Sequence, residues 1–359
     1  MLLFLFILIF GYVFILIYIM TGMAMVKNFE PKTTQNTTTF SIIIPFRNEK
    51  NNLPILVESI EKLNYPTALF EVILVDDAST DGYVLPTNIS FTIQLLQNKL
   101  YTKAGKKEAL TQGIQKAKNQ WIVTTDADCQ VPEQWLQIVD AYIQEYQPKM
   151  VVMPVKYQPE NTFLYHFQNI EMLSLQGVTK GTFGIKQPFM CNGANFAYQK
   201  EFFNQLNGFE NNVHIASGDD VFLLQKALIK HSQSVCYLSS NDGVVTTQAA
   251  QNWNELVHQK VRWASKTKAY SVVFAKLLAV LVALANLAVL GCFFAYFFTQ
   301  NTAFLGLIFI KILVDVLLLS LSNAFFQSKI NYVFSSSILY PFFTLFIFFR
   351  SLNGSYRWK

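Results

Sequence analysis

The chain has 359 residues, room for two or three domains, but 52% of them are hydrophobic, only 14% are charged and 33 are Phe, which is too apolar for a wholly soluble protein. Its net charge of +5 is modest and much of it flanks apolar stretches, so it suits anionic headgroups and argues against a nucleic-acid partner. Cys129, Cys191, Cys236 and Cys292 lack a CxxC spacing, which argues for reduced thiols and against a disulfide or zinc framework.

Leu2 to Met20 is uncharged and long enough to span a hydrocarbon core, which takes roughly 20 residues as a helix. With no basic leader it reads as an uncleaved anchor, residues 1–24, rather than a signal peptide. Residues 25–270 are mixed in composition and form the expected soluble domain. There Phe40 to Pro45 (FSIIIP) reads as a short β-branched strand, and Glu49 to Leu63 as a helix with Leu53, Leu56, Val57 and Ile60 on its apolar face. Phe70 to Val75 (FEVILV) is a second strand closed by Asp76 and Asp77; a third lies around Ser90 to Leu96, a helix runs from about Gly105 to Lys118, and Trp121 to Thr125 is a strand again. Near-continuous apolar strands alternating with helices predict an α/β domain with a mostly parallel sheet and helices on both faces. Ligands bind such sheets at the carboxyl ends of the strands, where both acidic clusters fall.

The run WIVTTDADCQVP (Trp121 to Pro132) ends in Asp126 and Asp128. Residues i and i+2 of an extended chain point the same way, so the two carboxylates are placed to hold a hard divalent cation, Mg2+ or Mn2+, which in turn holds a diphosphate. Taken alone, the pair also fits a turn, where Asp is common.

Further on come MCNGAN (Met190 to Asn195), then GDD (Gly218 to Asp220) opening GDDVFLLQKAL as a helix start, then QKVRW (Gln259 to Trp263). The last lies on a basic amphipathic helix near 251–268 that suits the membrane interface, with Trp253 and Trp263 at headgroup level. Leu277 to Phe298, Ala303 to Ser322 and Ile330 to Phe349 make 271–359 a membrane region of about three segments. Lys311 and Asp315, at i and i+4 within it, are expected to neutralise one another. His166, His231 and His258 show no metal spacing, and His214 lies just before GDD. Lys27, Lys32, Lys260, Arg262, Lys266 and Lys268 border the first two spans and place the soluble domain in the cytoplasm. Four full crossings would leave Arg350, Arg357 and Lys359 outside, against the same rule, unless one C-terminal segment is interfacial or re-entrant.

In order, IIIPFRNEKNN (Ile42 to Asn52), VDDASTDG (Val75 to Gly82), GKKEALTQGI (Gly105 to Ile114), DADC, GDD and QKVRW resemble the motifs of a membrane-bound family 2 glycosyltransferase. The resemblance covers nearly everything from Phe40 to Trp263. It implies an inverting enzyme with a nucleotide-binding GT-A fold, a UDP-sugar donor and transmembrane helices on either side. Pro45, Arg47, Glu49, Asp76 and Asp77 would then meet the uridine, where a carboxylate accepts from the uracil N3–H and ribose hydroxyls; Asp76 also reads as a cap on the S-T-D-G turn. Lys106 would lie beside the diphosphate, with Lys103 and Lys107 as solvated neighbours. Asp126 and Asp128 would hold the cation and the donor. Asp220 would be the general base, with Asp219 as its orienter or as an alternative base. Gln259, Arg262 and Trp263 would close over the diphosphate, and Asn192, Gly193 and Asn195 would lie on the acceptor side. The expected reaction is hexosyl transfer to a membrane lipid or lipid-linked acceptor at the cytoplasmic face of the cell membrane. Processive polysaccharide synthesis is the alternative, for which three C-terminal segments are few. An inactive scaffold is a third reading, against which all the motif acids are present.

Overall fold

Short β-branched runs bounded by turn residues become strands here because both faces of the sheet are covered, so every residue of such a run finds an apolar neighbour. The computed structural model describes residues 1–31, 35–98, 105–210 and 218–352; Lys32, Lys103, His214, Arg357 and Lys359 lie outside them. In chain order the elements are α1 (Leu2–Met25), β1 (Phe40–Phe46), α2 (Leu53–Glu61), β2 (Phe70–Asp76), β3 (Thr92–Gln97), α3 (Gly105–Lys116) and β4 (Trp121–Thr124). They continue with β5 (Cys129–Gln130), α4 (Trp135–Tyr146), β6 (Met150–Val152), β7 (Val155–Tyr157), α5 (Phe163–Gly184), β8 (Phe196–Gln199) and α6 (Lys200–Gln205). The last are α7 (Asp219–His231), β9 (Val235–Tyr237), β10 (Val245–Thr247), α8 (Trp253–Ser265), α9 (Val273–Thr299), α10 (Ala303–Phe326) and α11 (Val333–Leu352).

The chain divides into two units. One, Lys27–Gln158 with Met190–Gln248, holds both sheets. Its main sheet has the order β3-β2-β1-β4-β8-β6-β9. The first four strands are mutually parallel, β8 runs antiparallel to both β4 and β6, and β9 returns parallel to β6. A separate three-stranded sheet has the order β5-β10-β7, with β10 antiparallel to β5 and parallel to β7. The mostly parallel α/β arrangement expected from the sequence is present. All seven residues of β1 and of β2 are buried. Ile42 and Ile44 face a core with Leu53, Leu56 and Ile60 of α2 and Trp135, Ile138 and Val139 of α4, while Ile43 faces α3 on the opposite side at Gly113. The helix α2 starts later than the sequence suggests, because Asn48 takes a left-handed φ of 56° and Pro54 fits only the first helical turn.

The other unit gathers α1, α5 and α8 to α11 (Met1–Val26, Pro159–Phe189 and from Ala249 on). Four of its helices, α1, α9, α10 and α11, are long and apolar enough to cross a membrane. Residues 159–189 and 249–270, grouped by sequence with the soluble domain, belong with these helices. No apolar run announces α5: its buried residues mix Tyr165, Phe167, Met172 and Leu173 with the polar His166, Gln168, Asn169 and Gln176. A Cβ at Gly181 or Gly184 would collide with the backbone of α1 at Ile19 or Gly22, so α1 and α5 touch backbone to backbone. Lys311 and Asp315 pair at 2.7 Å as expected, and the pair extends further: Lys311 donates to Asn286 Oδ1 at 3.0 Å and Tyr12 donates to Asp315 Oδ1 at 2.7 Å.

Candidate active site

The strand order reverses at β1, which has β2 on one side and β4 on the other, and this is where an open parallel sheet forms a crevice at its carboxyl edge. Pro45 is buried within β1, in register with Val75. Arg47 is exposed just beyond the strand, and Glu49, partly buried, accepts from the Asn52 amide at 2.6 Å. Asp76 and Asp77 are both buried at the end of β2. Asp76 accepts from the Ser79 backbone at 2.8 Å and from the Tyr83 hydroxyl at 3.2 Å, so the turn-capping role read from the sequence is real. Asp77 accepts from the Asn98 amide at 2.6 Å. The first residue of α3, Gly105, lies so close to Asp77 that any Cβ there would strike the carboxylate; only glycine lets the helix begin at that point.

One residue on, Lys106 places its ammonium 2.5 Å from Asp126 Oδ1 with its side chain 21% exposed. Burial alone would lower the Lys106 pKa, but Asp126, Asp219 and Asp220 together hold it above the ordinary lysine range. Three sequence motifs are thereby brought to one charged cluster: the start of α3, the end of β4 and the start of α7. Asp128 completes it, its pKa pushed up to about 7 by burial, then by Asp126 and Glu49, with Lys106 opposing. It also accepts from the Thr247 hydroxyl at 3.3 Å. Among the described residues, Asp126, Asp128, Asp219 and Asp220 all act on the Lys106 ammonium, a concentration of carboxylates of the kind that a hard cation relieves. Among the described residues no three metal-ligating side chains converge. Asp126 and Asp128 fit a cation of the Mg2+ or Mn2+ kind, which keeps waters and takes one or two carboxylates together with substrate phosphates.

Asp219 and Asp220 open α7 behind Gly218, whose φ of 80° turns the chain into the helix; N-terminal carboxylates there are favoured by the helix dipole. Asp220 Oδ2 accepts from the Gly193 backbone N–H at 2.8 Å, and Oδ1 from its neighbour Val221 at 2.8 Å. Thr124, the last residue of β4, donates to the Gly193 carbonyl at 2.7 Å, so the Gly193 peptide is held between the two acidic motifs. Asn192 is spent locally, accepting from Ala194 at 3.0 Å. Asn195 is wholly buried, donating to the Pro154 and Gly243 carbonyls at 2.8 Å each and accepting from Trp135 at 2.9 Å; it is a core pin.

Two residues differ from expectation. Lys107 is 1% exposed, not solvated, with its ammonium 5.3 Å from the Phe222 ring centre of α7, because one residue's rotation on α3 carries it from the charged edge to the face against α7. Thr124 gave no motif signal, although a hydroxyl ending an apolar strand next to D-x-D was visible. Gln259, Arg262 and Trp263 lie on α8 in the helical unit. The Gln259 carbonyl oxygen is shielded from solvent and has no hydrogen-bond partner among the described residues.

Residues 41–207 match the family model described as Glycosyl transferase family 2. An uncharacterised glycosyltransferase of Haemophilus influenzae is 32% identical over 135 residues, 37% of this chain and 40% of the relative. An undecaprenyl-phosphate 4-deoxy-4-formamido-L-arabinose transferase of Aeromonas hydrophila is 32% identical over 114 residues, 30% of this chain and 34% of the relative. The chain thus spans less than half the length of these curated relatives. Among solved structures, a mannosyltransferase of Pyrobaculum calidifontis, in complex with GDP-Man and Mn2+, shares the fold over 99% of both chains with a TM-score of 0.64 at 17% identity.

Proposed function

Residues 41–207 form a glycosyl transferase family 2 domain, and from that premise we propose that the chain is an inverting hexosyltransferase that moves a sugar from a nucleoside diphosphate, UDP in the first instance, to a membrane lipid or lipid-linked acceptor. The observation that carries this reading is the meeting of Lys106, Asp126, Asp219 and Asp220 at the carboxyl edge of the sheet, with Asp220 oriented by the Gly193 peptide.

In the proposed reaction the acceptor hydroxyl attacks the sugar C1 from the face opposite the diphosphate. The bond from C1 to the diphosphate oxygen breaks, its electron pair leaves with the diphosphate, and the hydroxyl proton passes to Asp220. Two backbone N–H groups orient the Asp220 carboxylate, whose oxygens keep lone pairs for that proton. Asp126 and Asp128 would hold a divalent cation, which when bound screens the diphosphate's charge. Lys106 neutralises the departing diphosphate, and Gln259, Arg262 and Trp263 are assigned to the donor by their motif. Asp76 and Asp77 accept from the base and ribose; Glu49 and Arg47 flank them. Asn192 and Gly193 border the acceptor, whereas Asn195 acts through the loop it pins.

Lipid as acceptor is supported by the four described helices long and apolar enough to cross a membrane and by the lipid phosphate in the name of the Aeromonas hydrophila relative. The catalytic unit belongs on the cytoplasmic side of the cell membrane, where nucleotide sugars are made; a reporter fused between Val84 and Asn88 should score cytoplasmic, and an external signal would overturn the topology. The deciding experiment measures nucleoside diphosphate release by the detergent-purified chain from UDP- and GDP-sugars with Mn2+, with and without membrane lipid extract. Release with one donor that rises with lipid, and that vanishes in Asp220→Asn where the acceptor is a hydroxyl, supports the reading. A long polymer as product would replace it with the processive alternative.

A further inference from the structure

The Q-x-x-R-W segment carries at its second position a lysine that the roles above leave unused. Lys260 is 4% exposed, and its ammonium meets Glu171 Oε2 of α5 at 2.6 Å, with the Glu171 side chain 12% exposed. The contact is ionic, without the alignment of a hydrogen bond. The same ammonium lies 4.3 Å from the ring centre of Trp263, one turn along α8. A cation over an indole face restricts both tilt and position of the ring.

Helical spacing extends the effect to the other motif residues. At about 100° per residue, Trp263 falls between Gln259 and Lys260 around α8, and Arg262 lies on the far side of Gln259. Leu256 anchors the same side of the helix, packing with Phe167 of α5 and with Phe343 and Ile347 of α11. With Leu256 and Lys260 both held, α8 has no freedom to roll about its axis. Stability alone does not call for the pair, since a buried ion pair is commonly replaceable by apolar side chains of similar volume without loss. What an apolar pair does not reproduce is a fixed charge beneath the Trp263 ring.

We propose that Glu171 and Lys260 are positioning residues for the donor-binding face of α8, orienting Trp263 directly and Gln259 and Arg262 through the helix's rotation, for a nucleoside diphosphate sugar. The proposal rests on the reading of Gln259, Arg262 and Trp263 as donor contacts. Neither Glu171 nor Lys260 touches the reacting atoms in this account, so their loss acts on donor KM more than on kcat.

The test uses the full-length protein in detergent with Mn2+ and the donor sugar that gives release. The volume-preserving double variant Glu171→Leu with Lys260→Met should raise donor KM about tenfold, the worth of one cation over an aromatic ring, and Glu171→Gln, which frees that cation without removing it, should raise KM less, with kcat changed far less in both. Lys260→Arg, which keeps both the carboxylate and the ring contact, should restore KM to near the wild-type value. The double variant keeps the test valid if single changes misfold, and its melting temperature in detergent checks that it folds. A folded double variant with wild-type KM overturns the proposal, as does a Lys260→Arg variant no better than the double variant. Arg262→Ala runs alongside. If it raises KM while the Glu171 and Lys260 variants do not, only the positioning role fails; if it leaves KM unchanged, the motif has no part in donor binding and the proposal falls with it.

Discussion

Burial, then Asp126 and Glu49, push the Asp128 pKa up to about 7. The folded chain thus binds this proton more tightly than the unfolded chain, in which an Asp titrates near pH 4 (about 3.9). The stability it contributes is complete below the unfolded value and is lost as pH climbs through the folded one. Without divalent cation, Asp128→Asn should therefore flatten the fall in melting temperature between about pH 4 and pH 7, followed by thermal denaturation in detergent. A cation has to displace the same proton, so Mn2+-dependent binding of UDP should strengthen from about pH 6 to pH 8 and lose its metal dependence in Asp126→Ala and Asp128→Ala. Equal affinity across that range would remove Asp128 from the cation site. The acceptor's chemistry is open to a residue-level test as well. A hydroxyl acceptor needs a base, whereas a lipid phosphate reacts through an oxygen that is already ionised; Asp220→Asn should abolish transfer to the first and spare much of the second, as product analysis with each acceptor would reveal.

At the scale of elements, two glycines offer opposite signatures. Gly218 holds a φ of 80° before α7, a conformation that costs a non-glycine residue roughly 1 kcal/mol. Gly218→Ala should displace the start of α7 and lower kcat while nucleotide affinity stays intact. Gly105→Ala drives a methyl into the Asp77 carboxylate and should weaken nucleotide binding by displacing Lys106; calorimetry with UDP and Mn2+ separates the two cases. Most of the parallel half of the sheet was legible in the sequence, because FSIIIP, FEVILV and WIVT are apolar throughout and stop at turn residues or acids. The antiparallel β8 was not: FAYQ is four residues long, and its place between β4 and β6 depends on partners distant in sequence. The acids of the site were legible from type and order. The burial of Lys107 and Lys260 was not, since a lysine's composition is the same whether it faces water, an aromatic ring or a carboxylate.

At the scale of the whole molecule, α5 is encoded inside the catalytic stretch but packs with the helical unit. A fragment from Lys27 to Gln248 would carry α5 without α1, exposing the face at Gly181 and Gly184 where the two backbones meet. Such a fragment should sediment with membranes or aggregate unless detergent is present, even though it lacks the four helices that are both long and apolar enough to cross a membrane; a monodisperse soluble fragment in ultracentrifugation would contradict this. The position of β8 bears in turn on how the protein is made. Synthesis delivers β1 to β4 and then β6, yet β4 and β6 have no common partner until Phe196 to Gln199 emerge and join them. For some seconds, at roughly 5–20 residues per second on the ribosome, the nascent chain presents β4 with an open edge, the kind of strand that recruits the wrong neighbour. The D-x-D carboxylates just beyond β4 therefore stay unframed until synthesis has delivered Phe196 to Gln199.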